Sequence, residues 1–193
     1  MRICVYGAAS PNIDEQYITA TEALGETLAK RGHNLVFGGG GNGLMGAAAR
    51  GFKRGGADII GVIPDFFRNE AIEAIYDFCD RLIEPKTMRE RKQIMEDNAD
   101  AFIVVPGGIG TYEEFFEILT SKQLCRHNKP IGIYNIDGYY DEMRDCMHSA
   151  MEKNFIKPSC KELYCMTDRV DKLIEYIEQP TDTARSVKEL KDG

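Results

Sequence analysis

The chain of 193 residues is long enough for one well-buried core and short for two, so a single domain with a terminal tail is expected. Its 24 basic and 31 acidic residues leave a formal net charge of −7, which argues against a general nucleic-acid or anionic-membrane surface and favours a small-molecule partner. Six scattered cysteines (Cys4, Cys79, Cys125, Cys146, Cys160, Cys165) form no C-x-x-C pair and read as reduced and structural, while the lack of a signal peptide or a membrane-length apolar window points to the cytoplasm.

In chain order, short apolar runs ending in Gly or Pro alternate with longer amphipathic stretches. The strand candidates are Ile3–Tyr6, Asn34–Phe37, Asp58–Ile63, Arg81–Ile83, Ala101–Val105, Ile131–Tyr134 and a weaker Glu162–Cys165. Helices are expected over Asp14–Arg31, Gly43–Gly55, Met88–Ala99, Thr111–Leu124, Tyr139–Asn154 and Asp168–Glu178, the last with Asp168 as N-cap. This alternation predicts an α/β fold: a Rossmann-like, doubly wound, mostly parallel sheet of about seven strands with helices on both faces. Ligands then bind beyond the carboxyl ends of the strands. Residues 1–179 form the expected domain, and residues 180–193, polar and without an apolar stripe, a mobile tail.

Gly38 to Gly46 holds six glycines in nine residues at a strand end, which favours a phosphate cradle over a plain turn. No Lys-Ser/Thr follows, so it is not a Walker loop. Gly41, Gly43 and Gly46 also satisfy G-x-G-x-x-G, with Asp65 near the spacing of a ribose-binding acid, but the motif follows the second strand rather than the first. A dinucleotide-dependent oxidoreductase is therefore the weaker reading.

The helix opening at Thr87 has the capping-box pattern Thr87-x-x-Glu90. On it Met88, Arg91, Lys92 and Met95 share one face, where Arg91 and Lys92 either extend their charges to water or enter a site as phosphate or purine contacts. Pro106-Gly107-Gly108-Ile109-Gly110-Thr111 forms a second glycine turn into a helix. There Thr111 to Glu114 is another capping-box pattern, which by itself would leave Glu114 a local structural role. His33, His127 and His148 are isolated, so no metal is required, and no lysine has a setting that suggests pyridoxal phosphate.

Taken together, Gly38-Gly39-Gly40 through Gly43-Leu44-Met45-Gly46, then Met88-Arg89-Glu90-Arg91-Lys92, then Pro106 through Glu114 strongly resemble the LONELY GUY family of cytokinin riboside 5′-monophosphate phosphoribohydrolases. The similarity runs from about Ile3 to the turn at Tyr140. It departs where the family often has His in place of Arg89 and Ser-Ser in place of Ala9-Ser10.

The resemblance implies a homodimer that needs no cofactor and cleaves the N-glycosidic bond of an AMP-like or cytokinin-type nucleotide, yielding base and ribose 5-phosphate. It implies Arg91 and Glu114 as the catalytic pair, with Glu113 as the lesser alternative. The substrate would lie among Ser10, Gly39, Gly40, Gly43, Met45, Glu70, Met88, Lys92, Gly107, Gly108, Ile109, Gly110, Thr111, Glu113 and Thr120. A non-catalytic carrier of a nucleotide or phosphorylated cofactor is the alternative on the same fold.

Overall fold

The structure is a computed structural model that describes residues 1–70, 74–179 and 186–190. Its core is a seven-stranded sheet in the order β4-β3-β2-β1-β5-β6-β7, with every pairing parallel. The strands are β1 (Arg2–Tyr6), β2 (Asn34–Phe37), β3 (Ile59–Val62), β4 (Arg81–Ile83), β5 (Ala101–Val104), β6 (Ile131–Tyr134) and β7 (Cys165–Thr167). The central β1, β2, β5 and β6 are almost wholly buried, as a parallel sheet covered on both faces requires.

The helices are α1 (Glu15–Lys30), α2 (Gly43–Arg54), α3 (Asp65–Asn69), α4 (Met88–Asn98), α5 (Ile109–Gln123), α6 (Asp141–Glu152), α7 (Val170–Glu178) and α8 (Val187–Leu190). Two 3-10 segments, Ile136–Gly138 and Pro158–Leu163, supply corners. Two apolar clusters fill the faces: Leu24, Leu28, Phe52, Leu173 and Ile177 lie in one, and Met95, Phe115, Ile118, Met147 and Leu163 in the other.

Strand order reverses between β1 and β5. The loops leaving these neighbouring strands therefore flank the crevice where doubly wound sheets bind ligands.

The structure differs from the sequence expectation in several places. The last strand is Cys165–Thr167 rather than Glu162–Cys165, because Pro158 opens a 3-10 segment that carries the chain to Leu163. Asp168 does not cap the following helix: Arg169 occupies that position and makes no side-chain cap. Helix α5 begins at Ile109, two residues before the expected start, with Gly108 as its N-cap.

Within the stretch expected to be a mobile tail, Val187–Leu190 is helical and Leu190 is buried. Gln123 and Cys160 donate to the Leu190 carbonyl, Ser159 to that of Glu189 and Lys157 to that of Lys188. These side chains satisfy carbonyls that a helix end leaves without partners. Residues 180–185 and 191–193 lie outside the described residues. Cys125 and Cys146 are exposed, so the structural reading of all six cysteines does not extend to them. No helix among the described residues is long and apolar enough to cross a membrane.

Candidate active site

Helix α4 starts as its sequence predicts. The Thr87 hydroxyl accepts from the Glu90 N–H at 3.1 Å, and the Glu90 carboxylate accepts from the Lys86 N–H at 2.9 Å. This start fixes the rotation of Arg91, which turns inward and is only 6% exposed. Its Nε donates to the Val62 carbonyl at 3.0 Å and its Nη2 to the Gly38 carbonyl at 2.9 Å, while Nη1 lies 3.9 Å from Met88 Sδ. The Phe67 ring of α3 covers the guanidinium at 5.4 Å.

Arg91 thus spends part of its donor fork on backbone at the ends of β2 and β3 and keeps the remainder beside Met88. Gly38 is required here because a Cβ at that position would collide with the guanidinium. Met95, one turn further along α4, is core.

Lys92 also turns inward, toward α5, where it pairs with Glu113 and with Glu117 at 2.7 Å. Burial opposes its charge, but the two carboxylates hold its pKa above the ordinary lysine value.

Glu114 differs from both of its acidic neighbours. Its carboxyl makes no hydrogen bond or ion pair with any described residue. Burial raises its pKa from 4.5 to about 7, against the lowering effect of the Arg91 charge and with a further upward push from Glu113. The capping-box pattern at Thr111 does not operate, because with Gly108 as N-cap Thr111 already lies inside the helix.

The two glycine loops differ in their surroundings. In the first, Leu44 N–H and Met45 N–H both donate to the Ala8 carbonyl, and Gly41 N–H donates to that of Ala74. Two of the donors at the start of α2, the N–H groups of Leu44 and Met45, are therefore already used. Gly43, at φ 57°, lies against the carbonyls of Ala8 and Ser10, and Gly46 lies against that of Gly41. These glycines permit close packing. The packing also answers the G-x-G-x-x-G pattern, which here follows β2 rather than β1.

In the second loop, a Cβ on Gly108 or Gly110 would meet nothing within 4 Å. Among the described residues nothing requires glycine at either position. Helix α5 has no side-chain cap, and the N–H groups of Gly108, Ile109, Gly110 and Thr111 find no acceptor among the described residues. Ile109 is 89% exposed at the mouth. A donor-lined, sterically empty helix start beside Glu114 has the chemistry of an anion seat.

Other expected residues fall into distinct places. Ser10 is exposed on the loop after β1, its hydroxyl accepting from Asn12 N–H at 3.3 Å. Met45 is buried with its sulfur against Gly38, and Gly39 and Gly40 are buried beside it. Met88 is 40% exposed next to Arg91. Glu70 is exposed just past α3, one turn beyond Phe67. Thr120 is not with the others: it lies eleven residues along α5 from Ile109, about 16 Å at helical rise, in an apolar groove with Phe116, Met147 and Phe155.

Sequence reasoning missed Phe67 over Arg91, and it missed the Tyr139–Tyr140 pair whose hydroxyls reach the second loop. A pair of adjacent aromatic residues with polar tips, a short corner after a strand, was the available signal. The buried His33 pairs with Glu178 at 2.8 Å, beside the Arg31–Glu178 pair.

Residues 45–177 match the family model described as possible lysine decarboxylase. The probable cytokinin riboside 5′-monophosphate phosphoribohydrolase LOGL5 of Oryza sativa subsp. japonica is 37% identical over 185 residues, covering 94% of this chain and 74% of that protein. The cytokinin riboside 5′-monophosphate phosphoribohydrolase LOG3 of Arabidopsis thaliana is 35% identical over 178 residues, covering 92% and 82%.

The chain belongs to the LONELY GUY family. Among solved structures, the molybdenum cofactor carrier protein of Chlamydomonas reinhardtii superposes with a TM-score of 0.70 at 24% identity, covering 92% of this chain and 96% of its own. The molybdenum cofactor binding protein of Rippkaea orientalis gives 0.66 at 20%, with 92% and 93% covered. At these identities the two structures establish the shared Rossmann-like fold, and the LONELY GUY relatives carry the family assignment.

Proposed function

We propose that this chain hydrolyses the N-glycosidic bond of a purine or cytokinin-type nucleoside 5′-monophosphate, giving free base and ribose 5-phosphate. The observation that carries the reading is Glu114: a carboxyl with no partner of its own, next to the Arg91 charge and the uncapped start of α5. The relatives' names point to the same chemistry.

Cleavage of an N-glycoside builds positive charge on the ribose and negative charge on the departing base. The Glu114 carboxylate stabilises the sugar cation through the ribose hydroxyls or activates the attacking water. Arg91 stabilises the departing base or the phosphate by charge-assisted hydrogen bonds. It does not act as a free acid, because a guanidinium does not give up its proton. The free N–H groups from Gly108 to Thr111 take the 5′-phosphate and hold C1′ in place, so binding energy far from the bond is used for orientation. Lys92 pairs with both Glu113 and Glu117, which leaves Glu114 as the carboxyl available for this work.

The protein acts as a homodimer in the cytoplasm. Thr120 contacts substrate only if a second copy brings its own α5 to the site, and the exposed Phe116 and Phe155 beside it supply apolar surface for that contact.

The test is base release from AMP, isopentenyladenosine monophosphate and adenosine, with Glu114→Ala alongside. Release from the monophosphates alone, lost in the variant, supports the reading. Tight binding of AMP with no release from any substrate overturns it and leaves a carrier.

A further inference from the structure

All four carbonyls of the turn between β5 and α5 accept hydrogen bonds from the protein. Tyr140 Oη donates to Val105 O at 2.8 Å, Ala8 N–H to Pro106 O at 3.1 Å, Tyr139 Oη to Gly107 O at 2.8 Å, and Tyr112 N–H to Gly108 O at 3.0 Å. The Gly107 backbone also hydrogen-bonds to the Tyr140 hydroxyl.

Two of these four anchors are side chains of adjacent residues at the corner after β6, the strand beside β5. The corner itself is well held. Asn135 is buried, its Oδ1 accepts from Tyr140 N–H at 2.7 Å, and its Nδ2 donates to Asp141 at 2.8 Å. Tyr139 stacks edge-on with Tyr140 at 4.9 Å and with Tyr17 of α1 at 6.2 Å, so its ring also touches the helix that follows the β1 loop.

The peptide from Gly107 to Gly108 is the least constrained in the loop, since glycines on both sides let it rotate with little steric cost. Its C=O and N–H point in opposite directions because the peptide is planar and trans. Fixing the Gly107 carbonyl on Tyr139 therefore directs the Gly108 N–H to the other side, where the helix start opens. A flipped peptide would present a carbonyl lone pair to the phosphate and replace attraction with repulsion.

We infer that Tyr139 is a positioning residue: its hydroxyl sets the Gly107–Gly108 peptide in the orientation that selects a phosphorylated sugar. This rests on the reading that the Pro106–Thr111 loop receives the substrate's phosphate.

The experiment compares wild type with Tyr139→Phe and Tyr17→Leu by calorimetric titration with ribose 5-phosphate and with adenine, alongside steady-state kinetics on AMP. Tyr139→Phe keeps the ring contacts and removes only the hydroxyl. It is expected to weaken ribose 5-phosphate about fivefold to tenfold, the loss of one neutral hydrogen bond, with adenine affinity unchanged and the effect on AMP appearing in KM rather than kcat. Tyr17→Leu, which removes a ring neighbour and leaves the hydroxyl, is expected to bind ribose 5-phosphate as wild type does.

Unchanged ribose 5-phosphate binding in Tyr139→Phe overturns the inference, as does equal weakening of both ligands or no ribose 5-phosphate binding by wild type. Turnover of AMP with Tyr139-independent binding removes this inference and leaves the hydrolase. Tyr139-dependent binding of ribose 5-phosphate without turnover removes the hydrolase and leaves the inference.

Discussion

Replacing Glu114 by Gln should change how stability depends on pH as well as sharply reduce turnover. The folded state holds the Glu114 proton to about pH 7, chiefly because burial penalises the charge, whereas the unfolded chain releases it near 4.5. Between these values the folded protein binds more protons than the unfolded one. This carboxyl therefore stabilises the fold fully below about pH 4.5, and that contribution is lost as pH rises through about 7.

A displacement of this size corresponds to a ceiling of about 3 kcal/mol, and partial solvent access reduces the expected effect to about 2 kcal/mol. Glutamine of the same shape has no such dependence. In urea unfolding at pH 4.5 and pH 8.5, the variant should thus gain about 2 kcal/mol on the wild type between the two conditions. Its turnover should fall by about 10²-fold to 10⁴-fold. Parallel stability profiles for the two proteins would refute the argument that Glu114 is a desolvated carboxyl without a partner.

Other consequences are equally direct. The pH profile of kcat/KM should rise with a limb near 7 as Glu114 ionises, and Lys92→Met, which removes a charge that lowers that pKa, should move the limb to higher pH. A limb that stays in place would separate Glu114 from the rate-controlling ionisation. Gly110→Ala should leave the fold intact or stabilise it by up to about 1 kcal/mol, since alanine suits a helix and its Cβ meets open space, yet it should weaken nucleotide binding more than about tenfold. Unimpaired binding would show that the open space is not used by ligand. Leu190→Ala should cost about 2 kcal/mol in thermal or urea unfolding because Leu190 is 2% exposed, whereas a mobile tail would show almost no change.

The fold was legible because its signals are local. Runs such as Ala101–Val104 and Ile131–Tyr134 are continuous apolar strands, and Thr87 announced its helix with a cap that the structure contains. The site was legible only in part. Composition cannot distinguish a glycine chosen for packing from one chosen for ligand access; that depends on what a Cβ would meet, which is the Ala8 carbonyl at Gly43 and open space at Gly108. Arg91 could face either water or the interior on helical spacing alone, and the carbonyls that draw it inward belong to Gly38 and Val62, 53 and 29 residues away. The Thr111–Glu114 pattern misled because the extended backbone of Gly108 starts the helix earlier than the pattern assumes. Tyr139 reaches the loop through the adjacency of β5 and β6, a relation that no local window contains.

The central claim is tested most directly by a product balance for AMP and isopentenyladenosine monophosphate incubated with the purified protein. Free base, ribose 5-phosphate and inorganic phosphate are quantified together. The account predicts equal amounts of base and ribose 5-phosphate with no phosphate release. Release of phosphate with the nucleoside left intact, or bound nucleotide recovered unchanged, would contradict it.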